Sequence, residues 1–198
     1  ASDLRRETVL TLEKMGIPVE YSHHEAAPAQ QEIDLRFCDA LSAADAVVTA
    51  RLVIKETAHA QGVHASFMPK PIEGQPGSAM HVHQSLFDEH GNVFADANDP
   101  DGMGLSSVAK SYIAGLLKYA PEYMLITNQY VNSYKRLVPG FDAPVLVSWG
   151  SRNRSAMVRV PRYKPGKPSS TRIAVRSVDS AANPYLAYAA MLGAGLKG

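Results

Sequence analysis

Apolar residues recur along the chain at spacings that change from helical to alternating and back. Leu4, Leu10, Leu12 and Met15 fall at helical intervals, so residues 3–15 are predicted as a helix, capped by Ser2 and ended by Gly16 ahead of Pro18. Residues 19–21 read as a short strand and 32–36 as an extended segment. Ser42 is placed to cap a long helix to about Gln61, with Ala46, Val47, Ala50, Val53, Ile54 and Thr57 on one side. A strand over 64–68 is expected next, then a Pro/Gly-rich loop over 69–78. Residues 80–87 read as a strand, 88–92 as a turn, and 93–94 as the returning hairpin partner. Helices are predicted over 105–119 and 121–127, and strands over 145–149, 156–160 and 172–176. Asn183-Pro184 opens a final helix through Leu196. Strands dispersed among helices, some joined by hairpin-length links, predict an α+β fold with a mainly antiparallel sheet and flanking helices.

Composition bounds the function. With 198 residues, 45% of them hydrophobic, the chain has material for one globular domain, or one large domain with appendages. A formal net charge of +1 argues against general nucleic-acid affinity, which needs a basic excess. No apolar run is long enough to span a membrane, and no signal peptide is visible. Cys38 is the only cysteine, so no intrachain disulfide forms, which fits a reducing cytoplasm. The chain opens at Ala1 inside a helical pattern and closes at Gly198 after an apolar helix, the look of a piece of a longer protein. Neither G-x-G-x-x-G nor G-x-x-x-x-G-K-[ST] is present, so Rossmann and P-loop nucleotide binding are not supported.

Three constellations carry candidate chemistry. Residues 132–144, Asn-Ser-Tyr-Lys-Arg-Leu-Val-Pro-Gly-Phe-Asp-Ala-Pro, hold two cations and an acid among turn-forming residues, and predict an ordered charged loop. Together with residues 151–161 and 171–176 it contains six arginines, Arg136, Arg152, Arg154, Arg159, Arg172 and Arg176. Guanidinium forks bind carboxylates and phosphates in bidentate fashion. Glu25 and Glu32 flank a short loop and can share a hard divalent cation; as a bare pair they are equally two surface acids. His81 and His83 lie two apart, so on a strand both rings face one way, with Met80 and Val82 on the other side. Arginines beside a divalent ion form the inventory of phosphoryl transfer, where catalysis is mostly positioning and charge neutralisation.

These residues resemble the glutamine synthetase family, specifically the catalytic domain of the bacterial type. The likeness is carried by His23-His24-Glu25, Gln31-Glu32-Ile33, Phe67-Met68-Pro69-Lys70-Pro71 and Gly77-Ser78-Ala79-Met80-His81-Val82-His83, and by 132–144, 152–161, 172–176 and Ala181-Ala182-Asn183-Pro184-Tyr185-Leu186, in collinear order. It implies ATP-dependent phosphorylation of the glutamate γ-carboxylate, then displacement of phosphate by ammonia, with Mg²⁺ or Mn²⁺. It also implies roles. Glu25 and Glu32 match ligands of the tighter metal site, and His81 a ligand of the second metal. Phe37 matches the adenine contact, His83 and Ser85 ATP contacts, and Arg159 and Arg172 nucleotide-phosphate contacts. Gly77, Arg136 and Arg176 match glutamate contacts, and Arg154 a contact to the transferred phosphate.

Departures from the family pattern leave alternatives open. Asp142 stands where the family has the glutamate that deprotonates ammonium, which retracts the carboxylate by about 1.5 Å, one C–C bond. That leaves room for a larger amine, so a γ-glutamyl-polyamine or other amine ligase is an alternative. Ala174 stands where the family has a second-metal glutamate, which also admits a non-catalytic relative. Ala79 replaces a glycine and Pro76 an asparagine. The resemblance places the chain within the catalytic domain, with the family's N-terminal domain and C-terminal segment outside it. The isolated chain is therefore expected to be inactive, and the longer parent to be a cytoplasmic, ring-forming homo-oligomer acting on small molecules, without nucleic-acid or membrane partners.

Overall fold

A computed structural model describes residues 2–151, 153–161 and 166–198. The chain folds as two compact units, Ala1–Ser78 and Ala79–Gly198.

The first unit begins with α1 (Ser2–Lys14), as the spacing predicts. Strands β1 (Val19–His24) and β2 (Gln31–Leu35) form an antiparallel pair in which His23 lies opposite Glu32. Helix α2 (Ala40–Ala60) follows. Leu12, Val19, Ala50 and Val53 are buried together, with Val9, Ile17, Ile33 and Leu35 against them. The cap of α2 is Asp39 rather than Ser42: its carboxylate accepts from the amides of Leu41 and Ser42 at 3.1 and 3.0 Å. An aspartate three residues earlier serves these free N–H groups and the helix dipole better than the serine hydroxyl. The strand expected over 64–68 is absent. Phe67 lies under Arg51 and Lys55 of α2, 5.8 and 5.9 Å from ring centroid to cation, so side chains rather than a ladder hold this segment.

In the second unit, the strand expected over 80–87 shortens to β3 (Val82–Gln84). A tight hairpin, β4 (Phe87–Asp88) and β5 (Gly91–Asn92), takes up the rest. The Asp88 carboxylate accepts from the amides of His90 and Gly91, and Gly91 sits at φ 126°, so the turn closes earlier than the expected return at 93–94. Helices α3 (Ser107–Lys118) and α4 (Ala120–Thr127) agree with the reading, with Ser106 capping α3. Where a loop is expected after residue 132, a short helix α5 (Val131–Arg136) forms. β6 (Leu146–Ser151), β7 (Ala156–Val160), β8 (Ile173–Val175) and α6 (Pro184–Gly195) complete the unit. The sheet order is β3-β8-β7-β6, antiparallel except for β6 against β7.

Phe94, Leu105, Ile113, Leu116, Ile173, Val175 and Met191 are central to the core of this unit. Burying each removes about 1.5–3 kcal/mol worth of apolar surface from water. α3 and α6 approach so closely that a Cβ on Gly115 would lie 2.3 Å from the Ala194 carbonyl oxygen. The other face of the sheet is where the basic residues collect. Among the described residues no helix is long and apolar enough to cross a membrane.

Candidate active site

An acidic cluster lies in the first unit. Alternation on β2 puts Glu32 and Asp34 on one face, and the β1–β2 register sets His23 against Glu32. Ligand atoms of His23, Glu32 and Asp34 lie within 4.8 Å of one another, the only such group of three or more among the described residues. His23 Nε2 is 2.9 Å from Glu25 Oε1. Burial, the hydrogen bond shared with Glu25 and the charges of Asp34 and Glu25 push Glu32 up to about 7. Burial alone would raise Glu25 as well, but the Ala26 amide, Glu32 and His23 outweigh it and hold it below the usual carboxylate range. One proton is thus shared by two acids crowded together, the situation a divalent cation relieves. Oxygen donors with one imidazole suit Mg²⁺ or Mn²⁺, so these residues fit such an ion. Glu25 and Glu32 lie within hydrogen-bond reach of each other. His23 and Asp34 were missed as members of the group, although strand alternation from Glu32 and the cross-strand pairing point to both.

Two other candidates belong to this unit. The Gly77 carbonyl accepts from Gln30 Nε2 at 2.9 Å, and the same nitrogen is 3.2 Å from Ser78 Oγ. Phe37 is 70% exposed.

A basic cluster lies in the second unit. Register places His83 of β3 opposite Ala174 of β8, and Ala174 opposite Arg159 of β7. Arg172 Nε donates to His83 Nδ1 at 2.9 Å, and its Nη1 donates to the Ser170 carbonyl at 3.1 Å. Desolvation and the guanidiniums of Arg172, Arg159 and Arg176 push His83 down to about 4. The residue keeps an exposed edge, so the neighbouring cations are the firmer of these causes. Arg159 is half-buried, and among the described residues its Nε has no hydrogen-bond partner.

Arg176, 6% exposed, ties two backbone segments together. Its Nη2 donates to the Asp142 carbonyl and its Nε to the Arg154 carbonyl, each at 3.0 Å. The side chains of Asp142 and Arg154 meet at 3.6 Å and remain exposed. Asp142 has φ 55°, a left-handed conformation that aspartate tolerates better than most residues.

Arg136 is 3% exposed, an unexpected depth for a ligand-binding candidate. It donates to the carbonyl oxygens of Ser177 and Arg176, and its Nε lies 3.8 Å from Asp179 Oδ1. Asp179 also accepts from Ser133 Oγ and, at 3.1 Å, from Asn128 Nδ2. Burial lowers Arg136 to about 10 despite Asp179, and raises Asp179 despite Ser133, Arg136 and Asn128. His81 is exposed just before β3, Ser85 is half-buried just past its end, and Arg152 lies outside the described residues.

The family described as glutamine synthetase, catalytic domain, matches residues 1–198. The chain belongs to this family. Glutamine synthetases of Mycolicibacterium smegmatis and Mycobacterium tuberculosis are each 60% identical to it over 198 residues, covering all of this chain and 44% of each relative. That of Methanosarcina mazei is 52% identical, again over the whole chain and 43% of the relative. A Plasmodium falciparum glutamine synthetase solved by cryo-EM matches the fold with a TM-score of 0.94 at 34% identity, covering 100% of this chain and 38% of that one. The chain therefore spans less than half the length of the relatives it matches, and the α+β expectation agrees with the solved structure.

Proposed function

We propose that the protein carrying this chain is an ATP-dependent glutamate–ammonia ligase. The observation that carries this reading is the cationic face of Arg159, Arg172, Arg176 and neutral His83, with the Asp142–Arg154 pair held beside it by Arg176, in a glutamine synthetase catalytic-domain chain. A γ-carboxylate oxygen of glutamate attacks the terminal phosphorus of ATP, and the bond to the ADP oxygen breaks. The ammonia lone pair then attacks the acyl carbon of γ-glutamyl phosphate, and the carbon–oxygen bond to phosphate breaks. Arg159 and Arg172 hold nucleotide phosphates, and Arg154 meets the phosphoryl group in flight. His83 offers an uncharged Nε2–H donor, Ser85 a further ATP contact, and Phe37 a ring for the adenine. Gly77 and Arg176 position glutamate, and Arg136 contributes through Arg176, whose carbonyl it holds. The Asp142 carboxylate takes the proton from ammonium.

Glu25 and Glu32, with His23 and Asp34, would hold Mg²⁺ or Mn²⁺, which supplies charge neutralisation when bound. A cytoplasmic homo-oligomer acting on small molecules completes the reading.

The short, left-handed Asp142 favours a second reading in which the acceptor is a larger amine. One assay separates the two. Phosphate release by the full-length protein is measured with glutamate, ATP and Mg²⁺ or Mn²⁺, against ammonium and a panel of amines. Release with ammonium supports the first reading, and release only with larger amines the second. No release with any acceptor overturns both.

A further inference from the structure

The row His83–Ala174–Arg159 crosses β3, β8 and β7 in register, and Arg172 and Arg176, one residue beyond either end of β8, flank it. Ala174 is 3% exposed, so its neighbours close over the centre of the row. Because Arg172 Nε–H donates to Nδ1, the His83 ring is neutral and carries its proton on Nε2, leaving that N–H as the group it offers. Among the described residues, Arg159 Nε lacks a hydrogen-bond partner. No member of the row has a carboxylate. Asp142 meets Arg176 through its backbone carbonyl, and Asp179 faces Arg136. A divalent cation takes oxygen ligands, and the family resemblance expects a glutamate at 174 to supply one. Alanine supplies none, and the neighbours repel the ion. A second cation therefore does not fit here.

We propose that this face holds the phosphates of its ligand through nitrogen donors alone, Arg159, Arg172 and the Nε2–H of His83, with no divalent cation seated at Ala174. The inference rests on the ligase reading for the identity of the ligand, but its tests do not depend on turnover. Inorganic pyrophosphate is titrated by calorimetry into the full-length protein, with EDTA and with Mg²⁺. Binding in EDTA within a few-fold of that in Mg²⁺ is expected. Arg172→Ala and Arg159→Ala are each expected to weaken it about tenfold or more, the scale of a lost charge-assisted contact. Mn²⁺ alone is then counted by electron paramagnetic resonance. A single ion is expected, lost in Glu32→Gln and unaffected by His81→Ala. Pyrophosphate binding that requires Mg²⁺, binding indifferent to both arginine changes, or a second Mn²⁺ lost in His81→Ala overturns the proposal. A protein that turns over glutamate and ammonium yet fails the EDTA test loses this inference and keeps the ligase reading. One that binds pyrophosphate in EDTA without turnover does the reverse.

Discussion

Replacing Arg136 by methionine should destabilise the second unit by about 3–5 kcal/mol, the cost of stripping one partner from a buried ion pair. Asp179 is fully buried and Arg136 nearly so, which makes the full penalty applicable. At the observed 3.8 Å the attraction between the charges is about 4 kcal/mol at an effective dielectric constant of 20. The substitution also removes donors to two carbonyls. Ser177 O keeps Asn128 as a partner, whereas Arg176 O loses the fork that faces it. The shifts agree in sign: burial disfavours both charges, so the pair contributes little net stability and each partner alone is a liability. Arg136→Met with Asp179→Asn should therefore recover much of the loss. The lone tryptophan, Trp149 on β6, reports unfolding of this unit in urea. A loss under about 1 kcal/mol for Arg136→Met, or strict additivity of the two changes, would refute the reasoning.

The cleft between α3 and α6 makes Gly115→Ala costly: its methyl would meet the Ala194 carbonyl, a backbone atom that cannot swing away, so a loss of about 1–3 kcal/mol in urea titration is expected. His83 should read by ¹⁵N NMR as the neutral Nε2–H tautomer at pH 6, and Arg172→Ala should raise its titration midpoint from about 4. Its folded value lies below its ordinary one, so its contribution to stability is present above pH 6.5 and is lost as pH falls toward 4. Glu32 is shifted the other way. Its contribution is present below pH 4.5 and is lost as pH rises through about 7, so Mn²⁺, which needs the ionised form, should raise the melting temperature more at pH 8 than at pH 6. Equal Mn²⁺ effects at both values would count against the shared proton.

What could be read from the chain was what local chemistry decides. α6 follows from Asn183 and Pro184, whose roles in opening a helix need only neighbouring residues. β7 and β8 follow from short apolar runs interrupted by arginine. α5 was illegible because its determinant is distant: Ser133 accepts from the Tyr130 amide and donates to Asp179, 46 residues away. The depth of Arg136 was illegible for the same reason, since arginine is ordinarily exposed and only Asp179 and the 176–177 carbonyls make its burial tolerable. His23 and Asp34 stayed outside the predicted metal pair because a list of acids does not say which strand faces which, whereas the β1–β2 register does.

Arg176 shows why the family motif is compact in sequence but its effect is not. Its side chain spans the backbones of residues 142 and 154, and its own carbonyl is gripped by Arg136. The path of the Asp142 loop is therefore set by hydrogen bonds to main-chain atoms, which are indifferent to the side chain at 142. That separates two properties usually tied together: where the loop runs and how far its acid reaches. A change in acid length at 142 then alters the reach of the carboxylate without moving the guanidinium of Arg176. Ala174 works in the same manner on the other side, since removing a carboxylate from mid-strand leaves the β3–β8–β7 register intact and changes only the charge it presents. Both departures thus fall where chemistry can vary while the scaffold does not.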